Sequence, residues 1–201
     1  MLRLILASNS PRRKELLAGL GLDFEVRVIK DIDETYPAEM PVEHITLYIS
    51  EQKANVYRDC IKDDELVITA DTVVIVGQNV LGKPKDREDA CEMLRMISGC
   101  THQVITGVCL TSCFIHRTLS VSTDVTFKSL TEQEISYYVD HFKPYDKAGA
   151  YGIQEWIGYV GVTSLEGSYF NVMGLPVQRI WQELLDIYGM DALIHDDKAH
   201  P

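Results

Sequence analysis

The chain has 201 residues, 46% hydrophobic and 24% charged, with a formal net charge of −11. That size and balance suit one domain, or one two-lobed domain with a cleft, and exclude a disordered chain. So acidic a surface repels nucleic-acid polymers and anionic lipid, whereas a small anionic ligand needs only a local cluster of cations.

The apolar run Leu2 to Ala7 reads as a short buried strand, too short and too interrupted by Arg3 for a signal segment. Ser10-Pro11 then marks a helix start, with a serine cap and proline at the first helical position, and the helix runs to about Ala18 before Gly19 and Gly21. Phe24 to Ile29 alternates as a second strand, and the acidic loop Asp31-Ile32-Asp33-Glu34 follows. Val42 to Tyr57 reads as an amphipathic helix with Ile45, Tyr48, Ile49 and Val56 on one side. Leu66 to Val76 is β-branched and almost wholly apolar, a buried central strand interrupted chemically by Asp71. A turn at Gly77-Gln78-Asn79 returns the chain through Val80-Leu81, and Asp86 to Ser98 is a helix closed by Gly99. Gln103 to Thr111 and Phe114 to Lys128 are long, adjacent strands. Thr131 to Glu134 matches a capping box opening a helix to about Phe142. Lys143 to Gln154 reads as a loop feeding a strand, and Leu175 to Tyr188 as a final helix with Trp181 and Leu184 inward. Strands and helices interleave without a βαβ rhythm, so an α/β protein with a mixed sheet is expected, divided as one two-lobed domain over 1–190 and a polar tail over 191–201. The five cysteines form no CxxC pair and the six histidines no HExxH, as expected of idle thiols in a reducing cytoplasm.

Several residues carry chemistry. The junction Ser8-Asn9-Ser10-Pro11-Arg12-Arg13 opens a helix, where unpaired N–H groups and a partial positive charge attract phosphate. Two arginines in that first turn oppose the helix dipole, and a bound polyanion would reverse the sign of that conflict. Asp71 lies within Val67-Ile68-Thr69-Ala70-Asp71-Thr72-Val73-Val74, where a carboxylate is costly unless a cleft, a cation or a metal compensates. Asp31, Asp33 and Glu34 in the acidic loop offer a second carboxylate for a divalent cation, since magnesium is held by one or two carboxylates plus substrate phosphates. Lys53, and Lys83 and Lys85 on the stiff turn Gly82-Lys83-Pro84-Lys85, add the cations that a triphosphate requires. In Lys147-Ala148-Gly149-Ala150-Tyr151-Gly152-Ile153-Gln154, small residues permit close backbone approach and Gln154 offers both a donor and an acceptor to the edge of a base. Taken singly, each of these is also readable as a solvated patch, a structural carboxylate or an ordinary turn.

In this order and spacing, Ala7-Ser8-Asn9-Ser10-Pro11-Arg12-Arg13, Glu34, Glu51-Gln52-Lys53-Ala54, Ala70-Asp71-Thr72-Val73-Val74, Gly82-Lys83-Pro84 and the Lys147 to Gln154 block resemble the Maf family of nucleotide pyrophosphatases. The resemblance spans about Met1 to Gly189; the hairpin around Cys109 to His116 carries no motif that matches. It implies a two-lobed α/β fold of the Maf/ITPase-like kind, a mixed twisted sheet flanked by helices with the active site in the cleft, often as a homodimer. It further implies hydrolysis between the α- and β-phosphates of a nucleoside triphosphate with a divalent metal, Mg²⁺ or Mn²⁺. Asp71 falls on the catalytic proton acceptor; Ser8, Ser10, Arg12, Arg13, Lys53 and Lys83 fall on phosphate-binding positions; Glu34 falls on an acidic position involved with metal or water, with Asp71 on the metal side. Arg13, Thr72 and Gln154 resemble the specificity set of the subgroup acting on dTTP and UTP. A non-catalytic nucleotide-binding regulator of division would explain the cations but not an Asp71 buried beside them.

Overall fold

A computed structural model describes residues 2–193. Its elements run β1 (Arg3–Leu6), α1 (Pro11–Ala18), β2 (Phe24–Val26), α2 (Ile45–Tyr57), β3 (Glu65–Val76), β4 (Asn79–Leu81), α3 (Arg87–Ile97), β5 (Thr101–Thr111), β6 (His116–Phe127), α4 (Glu132–Phe142), α5 (Trp156–Gly161), β7 (Val162–Glu166), α6 (Tyr169–Val172), α7 (Val177–Tyr188) and α8 (Met190–Leu193). Seven strands make one sheet in the order β2-β1-β3-β5-β6-β7, with β4 also on β3. β1 is parallel to β2 and β3, and the remaining pairs are antiparallel, so the sheet is mixed.

The register of β3 creates the site. One of its edges is covered by β5 from Val67 to Ile75. The other is covered at its start by β1, ending with Leu6 opposite Ile68, and at its end by β4, beginning with Leu81 opposite Val74. Among the described residues no strand covers residues 69–73 on that edge. Val67, Val73 and Ile75 pack on the face beneath α2, with Ile45, Ile49 and Tyr57. Leu66, Ile68, Ala70 and Val74 pack on the opposite face in the main core, with Leu94 of α3, Tyr138 of α4 and Ile180 of α7. The two-residue side-chain period of a strand separates these sets. Gly107 lets α2 rest directly on the sheet: a Cβ there would lie 2.4 Å from the Thr46 backbone.

Five local expectations need correction. β2 stops at Val26 rather than Ile29, because β1, the strand it pairs with among the described residues, ends at Leu6. The helix expected from Val42 begins as a 3-10 turn over Val42–His44 before α2. Val56 is exposed, and Tyr57 takes the inward position, donating from its hydroxyl to the Arg27 carbonyl at 2.9 Å. The segment after Gln154 forms α5 before β7, where a strand was expected. Residues 191–193, the start of the expected tail, finish α8 and bury Leu193 in the main core; residues 194–201 lie outside the described residues.

One buried ion pair ties the edge of the sheet. Glu65 has a fully buried side chain gripped by the Arg27 fork, with both N–H···O distances 2.9 Å, and accepts from Lys62 N at 3.2 Å. The Arg27 bonds hold the Glu65 carboxyl at about 2, well below its ordinary value. A carboxyl lowered by folding stabilises the fold above its unfolded pKa, and that contribution disappears as pH falls towards the folded value. Urea unfolding at pH 7 and pH 3 should therefore show Glu65→Gln less stable than the parent at pH 7 and losing less on acidification. An identical pH response in the two proteins would remove Glu65 from the acid sensitivity.

Candidate active site

The strand-to-helix junction is built as its residues dictate. Ala7 N continues the ladder to Ile68 O at 2.9 Å, Ser8 Oγ accepts from Ser10 N at 3.2 Å, and Ser10 caps α1 by accepting from Arg13 N at 3.4 Å. Pro11 fills the first helical position, where its missing N–H costs nothing. Arg13 then reaches into the open edge of β3. Its Nη1 donates to Ala70 O at 2.8 Å, Nη2 to Thr72 Oγ1 at 3.1 Å and Nε to Gly174 O at 2.8 Å. The guanidinium thus replaces the missing strand at one carbonyl and joins it to the chain before α7. Burial lowers its pKa from the ordinary arginine value, against the opposing charge of Asp71. Three of the five donors of Arg13 are engaged within the protein, so its first task is holding the gap open in one shape. Arg12 points elsewhere, to Asp146 Oδ2 at 2.6 Å and Asp146 O at 3.1 Å.

Asp71 and Thr72 leave the strand on opposite faces. Asp71 shares the α2 face, and its Oδ1 lies 2.9 Å from Lys53 Nζ; the same ammonium is 3.2 Å from Glu34 Oε1. Lys53 and Asp71 are 12% and 14% exposed and Glu34 is 55% exposed, so the carboxylate pair is dry at one end and wet at the other. Thr72 shares the main-core face with Arg13. Because the edge between β1 and β4 is open, both faces contribute to one cleft of about 790 Å³. Every sequence-predicted site residue lines it: Ser8, Ser10, Arg12 and Arg13 from the junction, Glu34 from the acidic loop, Lys53 from α2, Asp71 and Thr72 from β3, Lys83 after β4, and Gln154 before α5. Lys83 is exposed on a turn whose Gly82 carbonyl accepts from Gly149 N at 3.0 Å. The Oε1 of Gln154 is buried and has no hydrogen-bond partner among the described residues. Buried polar atoms are rarely left so, and one facing a cleft is available to a ligand.

A second group joins the Lys147 to Gln154 block to Asp146, Tyr138 and Glu155, which were not singled out from the sequence. Asp146 accepts from both Arg12 and Lys147, the latter at 2.8 Å, and Lys147 also pairs with Glu155 at 3.0 Å. The Tyr138 hydroxyl donates to Glu155 and accepts from Gly152 N at 3.0 Å. Burial alone would raise the Asp146 carboxyl, but the Lys147 and Arg12 bonds outweigh it and hold it at about 2. This network fixes the Lys147 to Gln154 segment against α1 and α4. For Asp146 the sequence signal is its place directly before the Lys147 to Gln154 block.

Among the described residues no group of three or more His, Cys, Asp or Glu side chains is placed to hold a metal. Glu34 and Asp71 nevertheless fit a divalent cation in chemistry: they are hard oxygen donors, and a cationic group, the Lys53 ammonium, already stands between them. Two carboxylates completed by phosphate oxygens form a magnesium-type donor set. No helix among the described residues is long and apolar enough to cross a membrane.

The Maf-like protein family model matches residues 3–187. The chain is 56% identical over 182 residues to a protein of Bacteroides thetaiotaomicron named dTTP/UTP pyrophosphatase, covering 90% of this chain and 94% of that one. It is 57% identical over 182 residues to the dTTP/UTP pyrophosphatase of Phocaeicola vulgatus, with the same coverage of both chains. Among solved structures, a HAM1 protein from Coxiella burnetii aligns with a TM-score of 0.48 at 12% identity, covering 92% of this chain and 100% of that one.

Proposed function

The chain belongs to the Maf-like protein family, and from that premise we propose that it is a cytoplasmic pyrophosphatase hydrolysing dTTP and UTP to the monophosphate and pyrophosphate. The observation that carries this reading is the placement of Asp71: a nearly buried carboxylate in a gap of the sheet, 2.9 Å from a lysine and lining the same cleft as five further cationic residues and a carboxamide whose buried oxygen has no partner among the described residues. The single two-lobed unit expected over 1–190, extended by α8 to Leu193, carries the activity.

Each residue has a role that its chemistry suits. Asp71 accepts a proton from the attacking water, whose oxygen bonds to the α-phosphorus as the bond to the bridging oxygen breaks and pyrophosphate leaves. Lys53 sits against Asp71, offsets the cost of burying that charge, and faces the phosphates with Lys83. Arg12 turns from Asp146 to the substrate, where its fork suits phosphate better than a lone ammonium does. Ser8, Ser10 and the N-terminus of α1 receive phosphate oxygens, a placement favoured by the helix dipole. Arg13 keeps two N–H groups for the substrate after its three internal bonds. Glu34 and Asp71, together with substrate phosphates, would hold Mg²⁺ or Mn²⁺, which when bound neutralises charge on the leaving pyrophosphate and acidifies the attacking water. Thr72 and Gln154 meet the base. A local cluster of cations inside a chain of net charge −11 favours a small polyanion over a polymeric one.

Purified protein incubated with a panel of nucleoside triphosphates, with and without Mg²⁺ or Mn²⁺, tests this reading by product identification. Monophosphate plus pyrophosphate from dTTP and UTP, with little from purines, is expected. Saturable binding of nucleotide with no turnover under any condition would replace the enzyme by a nucleotide-binding regulator.

A further inference from the structure

Thr72 and Thr106 face each other across the ladder between β3 and β5. Thr106 is fully buried. Its Oγ1 donates to the Asn171 carbonyl at 3.2 Å and lies 3.0 Å from Thr72 Oγ1. A hydroxyl has one proton and a carbonyl has none, so the contact with Asn171 takes the Thr106 proton. Only the Thr72 proton remains to fill the contact between the two hydroxyls. Thr72 also accepts from Arg13 Nη2 at 3.1 Å. The chain of bonds from Arg13 through Thr72 and Thr106 to Asn171 therefore runs in one direction, and Thr72 has only a lone pair left to offer the cleft. The far end is fixed as well. Asn171 is buried, donating from Nδ2 to Val104 O at 3.1 Å and to Thr123 Oγ1 at 3.0 Å, while its carbonyl also accepts from Gly174 N at 2.9 Å.

Gln154 has no such constraint. Its side chain makes no hydrogen bond among the described residues, and its Oε1 is buried without a partner. A carboxamide free to turn over presents either its oxygen or its NH₂ group at a given point, so it serves the edge of uracil and the edge of cytosine alike. Discrimination between those two edges needs a group whose polarity cannot reverse.

Resting on the pyrimidine reading of the site given above, we propose that Thr106 is a positioning residue that makes Thr72 an obligate acceptor, and that this fixed polarity selects uracil and thymine over cytosine. Uracil and thymine carry N–H at ring nitrogen N3, whereas cytosine carries a lone pair there. A fixed acceptor bonds the first and repels the second. Sites built on such buried bonds discriminate far more strongly than apolar pockets do.

The test compares kcat/KM for UTP and CTP in the parent, Thr106→Val, Thr106→Ala and Thr106→Ser, with thermal unfolding to verify folding. The parent is expected to prefer UTP by about 10² or more. Thr106→Val and Thr106→Ala release the Thr72 proton, so the UTP:CTP ratio should fall about tenfold or more, with kcat/KM for CTP rising in absolute terms. Thr106→Ser keeps the hydroxyl and should keep the ratio. A loss of packing alone would lower both substrates together and leave the ratio unchanged. A discriminating parent whose folded Val and Ala variants retain the full ratio overturns the role of Thr106 and leaves the pyrophosphatase reading intact. A parent that hydrolyses UTP and CTP equally well overturns the base-reading assignment of Thr72 itself.

Discussion

Replacing Asp71 with asparagine is expected to reduce turnover of dTTP by at least about 10² while the chain remains folded, because general-base assistance contributes typically ~10²–10⁴ in rate. The substitution keeps the size of the side chain and an oxygen for Lys53, which lies 2.9 Å away and retains Glu34 at 3.2 Å. The strand pairing around position 71 depends on backbone bonds to β5 and on Arg13, neither of which the substitution touches. Stability should therefore change by no more than about 1–2 kcal/mol. The informative measurement is single-turnover hydrolysis at saturating nucleotide, beside thermal unfolding of the same sample. A folded variant with near-full turnover would reduce Asp71 to a charge partner of Lys53 and move the proton acceptor elsewhere in the cleft.

The site was more legible in the sequence than the shape of the cleft that gathers it. A charged residue inside Val67-Ile68-Thr69-Ala70-Asp71-Thr72-Val73-Val74 conflicts with an otherwise apolar strand, and such local conflicts tend to mark function. Ser10-Pro11 and the Thr131 to Glu134 box formed helix starts because their signals are local: a side-chain cap, a missing N–H and a reciprocal pair of bonds within three residues. The open edge of β3 is not a local property. It follows from where β1 ends and β4 begins, two segments separated by more than 70 residues in the chain. The bond of Arg13 to Gly174 spans 161 residues and that of Arg12 to Asp146 spans 134, so nothing in the junction itself announces either partner. The error at α5 has a similar cause. Trp156-Ile157-Gly158-Tyr159-Val160-Gly161 has the β-branched and aromatic content of a strand. Tertiary packing overrides it: Gly158 lies where a Cβ would be 1.8 Å from Ile153 O, and Gly161 where one would be 2.8 Å from the Phe127 ring. Those glycines let a short helix turn tightly over the preceding loop, which sets Gln154 beside the cleft instead of in a sheet.

Arg13→Lys is expected to be the most damaging charge-conserving substitution in the cleft. The arginine makes three hydrogen bonds in different directions, to Ala70 O, Thr72 Oγ1 and Gly174 O. A lysine ammonium on its flexible stem cannot reproduce a planar fork, and reaches one of the three acceptors at best. Two acceptors in a largely dry part of the cleft then lose a charged donor, each loss costing about 1.5–3 kcal/mol. A total of about 3 kcal/mol or more corresponds to roughly 6–12 °C in Tm for a chain of this length. The loss is not confined to stability. Ala70 and Thr72 flank Asp71, so the guanidinium fixes the strand on both sides of the proton acceptor, and it also anchors the accepting hydroxyl of Thr72. Turnover of dTTP should fall by at least about 10², since misplacing a catalytic group by about 1 Å is enough for that. Assay well below the reduced Tm separates the two effects. A variant that unfolds early but turns over normally when cold would make Arg13 a structural tie alone. One that keeps the parental Tm would show that the gap in the sheet does not depend on it.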